Sequence, residues 1–307
     1  MKLYIQSSSG KELVAGGIAI QSSDSVEDLQ KQFQRRKSQY YPSRQRFTLQ
    51  PAPGEKRGKV LTPGSRLAEY GLQEGQVLIF KDLGPQVGYG TVYFWEYFGA
   101  LVVYALMFYC RGIFYPSFRS NMQPMTLTQQ LAFAFWTFHF TKRILETFFV
   151  HKFSHGTMPM RNLFKNCSYY WGFAAFVAYF LCHPLYTPPG LKQTYAGLAF
   201  AMIWQVANFR CHLLLANLRS PSSKGYQIPK GFLFNYVTCA NYMCEVYAWV
   251  CFAIAVQTLA VFIFITAGTA QMCIWAQGKH RRLRKMFDGQ EGRPKYPRRW
   301  IMLPPFF

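Results

Sequence analysis

Between residues 85 and 278 the chain carries only three carboxylates, Glu96, Glu146 and Glu245, whereas the first 84 residues carry eight. Apolar runs of spanning length recur in the acid-poor stretch, at 89–109, 125–141, 168–183 and 194–216. A longer run from 232 to 277 has room for two or three more helices at about 20 residues each. Such a chain has to place most of its length in lipid. Composition agrees: of 307 residues 50% are hydrophobic and 18% aromatic, which excludes disorder. The net charge of +21 alone would suggest a nucleic-acid binder, but such a binder has no use for several long apolar runs. The expected fold is a multi-span α-helical membrane protein of six or seven transmembrane helices.

Residues 1–82 read differently, as a soluble mixed α/β domain. Lys2–Gln6 and Leu13–Ile20 have strand patterning around a Ser-Gly turn, and Ser25-Val-Glu-Asp28 starts a helix whose core stripe is Val26, Leu29 and Phe33. Further strands are expected at Arg46–Gln50 and Gln76–Lys81, separated by a Pro/Gly/Lys loop and a turn at Ser65–Tyr70. This ββαβ…β order matches the β-grasp of ubiquitin-like domains. The domain runs on into the membrane part and has no free Gly-Gly end, so conjugation is excluded. A docking or regulatory role remains, beside the plainer one of a folding or anchoring module. The catalytic part is expected in residues 83–307.

Six spans put both termini on one side, and the basic residues test that arrangement. Loops assigned to the cytosol carry Lys142, Arg143, Lys152, Arg161 and Lys165, then Arg219, Lys224 and Lys230, and nine cations between Lys279 and Arg299. The opposite loops carry Arg111, Arg119 and Lys192. Positive-inside counting therefore places the N-terminal domain and the basic tail in the cytosol. The N-terminus has no apolar signal-peptide core. The eight cysteines fall in or beside apolar runs and form no C-x-x-C pair, so they read as packing residues and no metal is expected. Gly88-Tyr-Gly90 lacks the third glycine and the βαβ setting of a dinucleotide fingerprint, and no Walker A, G-x-S-x-G or H-E-x-x-H occurs. Any cofactor must be bound by the helices and the basic loops.

Ionisable residues within spans cost about 2.5–3.5 kcal/mol each at mid-bilayer on insertion scales, so they are functional candidates. Three clusters qualify. His139, Lys142, Arg143 and Glu146 share one face at about 100° per residue. They form either a neutralised ion-pair stripe or, given the excess cation, an anion site. Asn208, His212 and Arg219 make a polar seam on a second helix, and Arg219 opens the loop Arg219-Ser-Pro-Ser-Ser-Lys-Gly-Tyr226. That loop suits phosphates, and snorkelling to the interface is the bland alternative. Asn241 and Glu245 are an i, i+4 pair with Tyr242 beside them and Tyr247 and Trp249 close behind. A buried Glu needs a partner such as an amide or an Arg. From the residues alone the reading is a membrane protein with a cationic, cytosol-facing polar pocket.

Several motifs carry a resemblance. The run His151-Lys-Phe-Ser-His-Gly-Thr-Met-Pro159 through Asn162-Leu-Phe-Lys-Asn-Cys-Ser-Tyr-Tyr-Trp-Gly172, the turn His183-Pro-Leu-Tyr-Thr-Pro188 and the closing Trp275-Ala-Gln-Gly-Lys-His280 resemble the very-long-chain trans-2-enoyl-CoA reductases of the steroid 5α-reductase superfamily. Tyr40-Tyr-Pro-Ser-Arg44, Gly225-Tyr-Gln-Ile-Pro-Lys-Gly231 and Lys295-Tyr-Pro-Arg-Arg299 add a similarity to plant-type members. The resemblance implies a multi-pass endoplasmic-reticulum enzyme that saturates trans-2-enoyl-CoA with NADPH. This is the last step of each fatty-acid elongation cycle and also feeds sphingolipid and wax synthesis. It implies Tyr242 as proton donor and Lys142 with Arg143 as an essential basic pair. Cofactor contacts fall on Asn208, Arg219, Tyr226, Asn241, Glu245, Lys279 and His280, and substrate contacts on His139, Glu146, His155 and Arg161. Implied partners are the acyl-CoA substrate, the bilayer, and the condensing enzyme, ketoacyl reductase and dehydratase of the cycle. Steroid reductases grip a ketone with a Glu and a Tyr in early helices; this chain offers Glu96 and Tyr97 in its first span, which makes steroid reduction the weaker expectation.

The chemistry suits these residues. Conjugation to the thioester makes Cβ electrophilic, a hydride adds there, and Cα then needs a proton. Tyrosine, ordinarily ionising near pH 10, is protonated at neutral pH and serves as a general acid, with nearby cations stabilising the tyrosinate. Lys142 and Arg143 suit either that task or a phosphate, and residue type leaves both open. Competing expectations are a steroid- or polyprenol-type enone reductase, an isoprenylcysteine-type methyltransferase on the same bundle, and a non-catalytic adaptor that works through its N-terminal domain.

Overall fold

The computed structural model describes residues 1–307 apart from 56, 57, 154, 155 and 220–225. The chain divides into two compact units. One is Met1–Tyr89 with His155–Phe164, and the other is Gly90–Ser154 with Lys165–Phe307.

In the first unit the strands are β1 (Lys2–Ser7), β2 (Ile18–Ala19), β3 (Gln45–Leu49) and β4 (Val77–Asp82), and one helix, α1 (Val26–Arg36), lies between β2 and β3 in sequence. The sheet order is β2-β1-β4-β3, with β1 parallel to β4 and the other pairs antiparallel. Alternation along β1 buries Leu3 and Ile5, which meet Val26, Leu29 and Phe33 of α1 in one core with Phe47, Leu78 and Phe80. The helix begins as its residues dictate: Ser25 and Asp28 form a reciprocal capping box. The second hairpin strand is shorter than its apolar pattern suggests. The continuous ladder is confined to Ile18–Ala19, although Leu13 still donates to the Ile5 carbonyl at 2.8 Å; between them Gly16 and Gly17, at φ of 74° and 71°, interrupt the extended run. Arg44 closes β3 against β4 by donating from Nε to Asp82 Oδ1 at 3.0 Å. A further pair, β5 (Gln86–Gly88) and β6 (Thr157–Pro159), is antiparallel.

The second unit is helical. Its elements are α2 (Tyr89–Tyr109), the single turn α3 (Arg111–Phe114), α4 (Leu127–Phe149), α5 (Arg161–Leu181), α6 (Leu191–Asn217), α7 (Ala240–Val256) and α8 (Leu259–Met286). The first residue of α2 and the first turn of α5 belong to the other unit. Among the described residues three helices, α2, α6 and α8, are long and apolar enough to cross a membrane, and the protein is of the helical membrane type. Helix α4 runs well past the apolar stretch 125–141 because its polar turns find partners on neighbouring helices, described below. Small residues set the α6–α7 contact: a Cβ on Gly197 would come within 2.8 Å of Ala255 Cβ and 2.9 Å of the Cys251 carbonyl. Between α7 and α8, Gln257 adopts φ of 45° and ends the first helix. The C-terminal tail returns to the start of α7. Backbone N–H groups of Thr238 and Cys239 donate to the carbonyls of Trp300 and Ile301 at 2.8 and 3.0 Å, and Met302 is fully buried.

Candidate functional site

Where α4, α6 and α7 meet, the polar residues predicted from three separate clusters join one network. Lys142 donates to Asn208 Oδ1 at 2.7 Å and Gln205 Oε1 at 3.2 Å, and its Nζ lies 3.2 Å from Glu146 Oε1. The Asn208 amide in turn donates to the Asn241 carbonyl at 2.9 Å and to Glu245 Oε2 at 3.3 Å. Gln205 Nε2 donates to His139 Nδ1 at 2.8 Å, which leaves His139 Nε2 to face Glu245 Oε1 at 3.4 Å. Trp249 closes the circuit by donating from Nε1 to the same carboxylate oxygen at 3.2 Å. Gln205 was absent from the sequence-derived set. The signal was available, since it precedes Asn208 by three residues and shares its helix face.

Arg143 forms the second half of the network. Its guanidinium donates to Glu146 Oε2 at 2.7 Å and to the Tyr97 hydroxyl at 2.9 Å. Nη1 also lies 3.2 Å from His212 Nδ1 and 3.3 Å from His151 Nε2. Glu146, His151 and His212 have ligand atoms within 4.8 Å of one another, the spacing of a metal centre. The distances place Arg143 Nη1 against all three, so the guanidinium supplies the positive charge at that spot. His151 lies just beyond α4; burial, then the positive charge of Arg143, pushes it down to about 3, so it is neutral at physiological pH.

One face of this network opens on a cavity of about 340 Å³ in the helical unit. Arg143 and His212 reach its wall from the network, joined by Asn241 and Tyr242 of α7, Lys279 of α8, and Lys152, Arg219 and Tyr226. Among the described residues no carboxylate lines it. Arg219 donates to the backbone carbonyl of Lys152, tying the end of α6 to the segment after α4. Lys152 and His151 were not singled out as site residues; their place follows only from the packing of that segment. The Tyr242 hydroxyl accepts a 2.7 Å hydrogen bond from Lys279.

The remaining predicted residues fall elsewhere. Lys142, His139, Glu146, Asn208 and Glu245 do not line the cavity, and act on it through the bonds just described. His280, although next to Lys279, is turned away: its Nδ1 lies 2.7 Å from Thr238 Oγ1, which also accepts from the Tyr296 hydroxyl at 3.0 Å. Arg161 is exposed at the start of α5, in the other unit. His155 and most of the Arg219–Tyr226 loop lie outside the described residues. Glu96 is 1% exposed and accepts from the Asn166 amide at 2.6 Å, while Tyr97 is taken by Arg143.

The 3-oxo-5-alpha-steroid 4-dehydrogenase family pattern matches residues 156–307. Over 296 residues, 94% of this chain and 92% of the relative, the protein is 43% identical to one named "probable very-long-chain enoyl-CoA reductase" from Caenorhabditis elegans. It is 47% identical to the very-long-chain enoyl-CoA reductase of Dictyostelium discoideum over 75% of this chain and 73% of that one. A trans-2,3-enoyl-CoA reductase-like protein of Mus musculus is 34% identical over 88% of this chain and 75% of its own length.

Proposed function

The chain belongs to the very-long-chain enoyl-CoA reductase family of the steroid 5α-reductase superfamily, and we propose that it reduces long-chain trans-2-enoyl-CoA to the saturated acyl-CoA with NADPH. The observation that carries this reading is the position of Tyr242, which lines a cavity rich in cations and, among the described residues, free of carboxylates. Among the described residues, three cationic side chains, Arg143, Lys152 and Arg219, suit the phosphates of a dinucleotide or of coenzyme A, so the donor set fits NADPH. Bound there, NADPH supplies the hydride for Cβ. Tyr242 gives its proton to Cα. Arg143, Lys152 and Arg219, with Tyr226 and Asn241, hold and orient the ligand.

The buried network behind the wall has a supporting task. Glu146 fixes the Arg143 guanidinium, and Asn208 ties Lys142 to the carbonyl of Asn241 and to Glu245, so the turn bearing Tyr242 is braced from α6. This reading gives Lys142 a structural place and Arg143 a place at the cavity. Residues 1–82, the part of the first unit that holds the mixed four-stranded sheet and α1, are a ubiquitin-like β-grasp, and residues 83–307 form the catalytic domain with six spans made by α2, α4, α5, α6, α7 and α8. Positive-inside counting supports cytosolic termini, and the proposal includes an endoplasmic-reticulum location beside the other elongation enzymes. The test is oxidation of NADPH by purified protein supplied with a long trans-2-enoyl-CoA. Turnover by wild type and its loss in Tyr242→Phe are expected. No turnover by wild type refutes the activity, and full turnover by the variant refutes the proton donor.

A further inference from the structure

The cation that touches Tyr242 is neither Lys142 nor Arg143. Lys142 is spent on Gln205, Asn208 and Glu146, and Arg143 on Glu146 and Tyr97. Lys279 of α8 reaches the tyrosine instead: its Nζ is 2.7 Å from Oη and 4.3 Å from the ring centroid. Both residues line the cavity, and among the described residues no carboxylate forms an ion pair with Lys279.

The direction of that bond follows from chemistry. An ammonium group has three donors and no acceptor, so Lys279 donates and Tyr242 Oη accepts. The hydroxyl proton of Tyr242 is thereby barred from the Lys279 side and has to point another way. Because no described carboxylate competes for Lys279, its charge is also available to the oxygen once the proton has left. We infer that Lys279 is a positioning residue for the proton donor: it sets the direction of the Tyr242 proton and neutralises the tyrosinate. In the step concerned, the O–H bond of Tyr242 breaks, the Cα–H bond of the substrate forms, and the electron pair stays on the phenolate oxygen beside Lys279. Water later returns the proton. The inference rests on Tyr242 as the donor and departs from the expectation that Lys279 serves only to bind the cofactor.

The experiment uses the full-length enzyme with NADPH and a long trans-2-enoyl-CoA, comparing wild type, Lys279→Met, Lys279→Arg, Tyr242→Phe and the double variant Lys279→Met/Tyr242→Phe. Removing one preorganised donor from a developing anion costs about 10²–10³-fold in kcat. That loss is expected in Lys279→Met, with partial recovery in Lys279→Arg, a solvent isotope effect on kcat larger than in wild type, and no further loss when added to Tyr242→Phe. The Kd for NADPH, read by quenching of protein fluorescence without substrate, should stay within about threefold, as a residue acting only through Tyr242 requires. A tenfold weaker Kd with kcat intact makes Lys279 a phosphate ligand and overturns the inference. So does an unchanged isotope effect, or a double variant slowed by the full single-variant factors multiplied together. Lys279→Gln gives the same readouts if the Met variant does not fold. Failure of wild type to turn over, or full activity of Tyr242→Phe, would instead refute the underlying reading.

Discussion

Glu146 is the most exacting place to test the buried network, because one carboxylate serves three partners. It is 2% exposed, with Arg143 Nη1 at 2.7 Å, His212 Nδ1 at 3.0 Å and Lys142 Nζ at 3.2 Å. Replacing it with Leu leaves two cations buried beside two imidazoles, and breaking a buried pair in this way costs about 3–5 kcal/mol. The lower end applies here. Lys142 keeps Asn208 and Gln205, and Arg143 keeps Tyr97, so neither is stripped bare. For a unit of this size each kcal/mol moves the midpoint by about 2–4 °C, so Glu146→Leu should lower the thermal midpoint of the purified protein by about 6–12 °C. The reasoning makes a second demand. If the loss comes from a stranded charge, Glu146→Leu/Arg143→Leu must be less destabilised than the sum of the two single variants by at least about 1 kcal/mol. Additivity within about 0.5 kcal/mol, or a midpoint unchanged in Glu146→Leu, would show that Glu146 does not compensate Arg143 and would refute the argument.

Other consequences can be measured directly. Gly197→Val should lower the thermal midpoint through an overpacking cost of about 1–3 kcal/mol, since even a Cβ at that position meets the backbone of α7; an unchanged midpoint would mean the two helices do not approach this closely. In the first unit the hydrogen bond from Arg44 holds Asp82 below the usual carboxylate range. Its contribution is therefore complete above pH about 4 and lost as the pH falls through the folded value. Amide exchange in β3 and β4 should accelerate between pH 5 and the acid limit in wild type, after correction for intrinsic rates, and show no such dependence in Asp82→Asn. His151, neutral when folded because its value lies below the ordinary 6.5, contributes fully above that pH and loses the contribution as pH falls toward about 3. His151→Gln should flatten the fall in thermal midpoint between pH 7 and 4, and a slope equal to wild type would show that another group carries it.

Much of the architecture was readable because it depends on local pattern. Ser25 and Asp28 announce the start of α1, and the apolar runs at 89–109 and 194–216 mark α2 and α6 to within a few residues. Same-face spacing also grouped His139, Lys142, Arg143 and Glu146 correctly on α4. What the pattern could not supply was which helix faces which. Tyr242 and Lys279 are 37 residues apart on different helices, and nothing local says that they touch. His280 shows the opposite difficulty, since its neighbour reaches the cavity while its own ring is held by Thr238, a consequence of one residue's rotation around α8. The pairing of Gln86–Gly88 with Thr157–Pro159 escaped for another reason: two three-residue strands far apart in sequence have too few positions to show alternation.

The three carboxylates of residues 85–278 finally explain one another. Glu96 takes the amide of Asn166, Glu146 takes Arg143, Lys142 and His212, and Glu245 takes His139, Asn208 and the Trp249 indole. Each is matched by a donor on another helix or on its own, and none reaches the cavity wall. The acids thus do two jobs at a distance from any ligand: they make buried cations and imidazoles tolerable between helices, and they fix Arg143 so that it presents charge to the cavity. Among the described residues the wall is left with Arg143, Lys152, Arg219 and Lys279 and no opposing carboxylate, an arrangement that concentrates positive potential in a cleft with low-dielectric walls. Scarcity of acid, which first identifies the stretch as membrane-embedded, is therefore also the condition under which such a cleft can receive polyanions, because every further carboxylate would cost insertion free energy and repel phosphate at the same time.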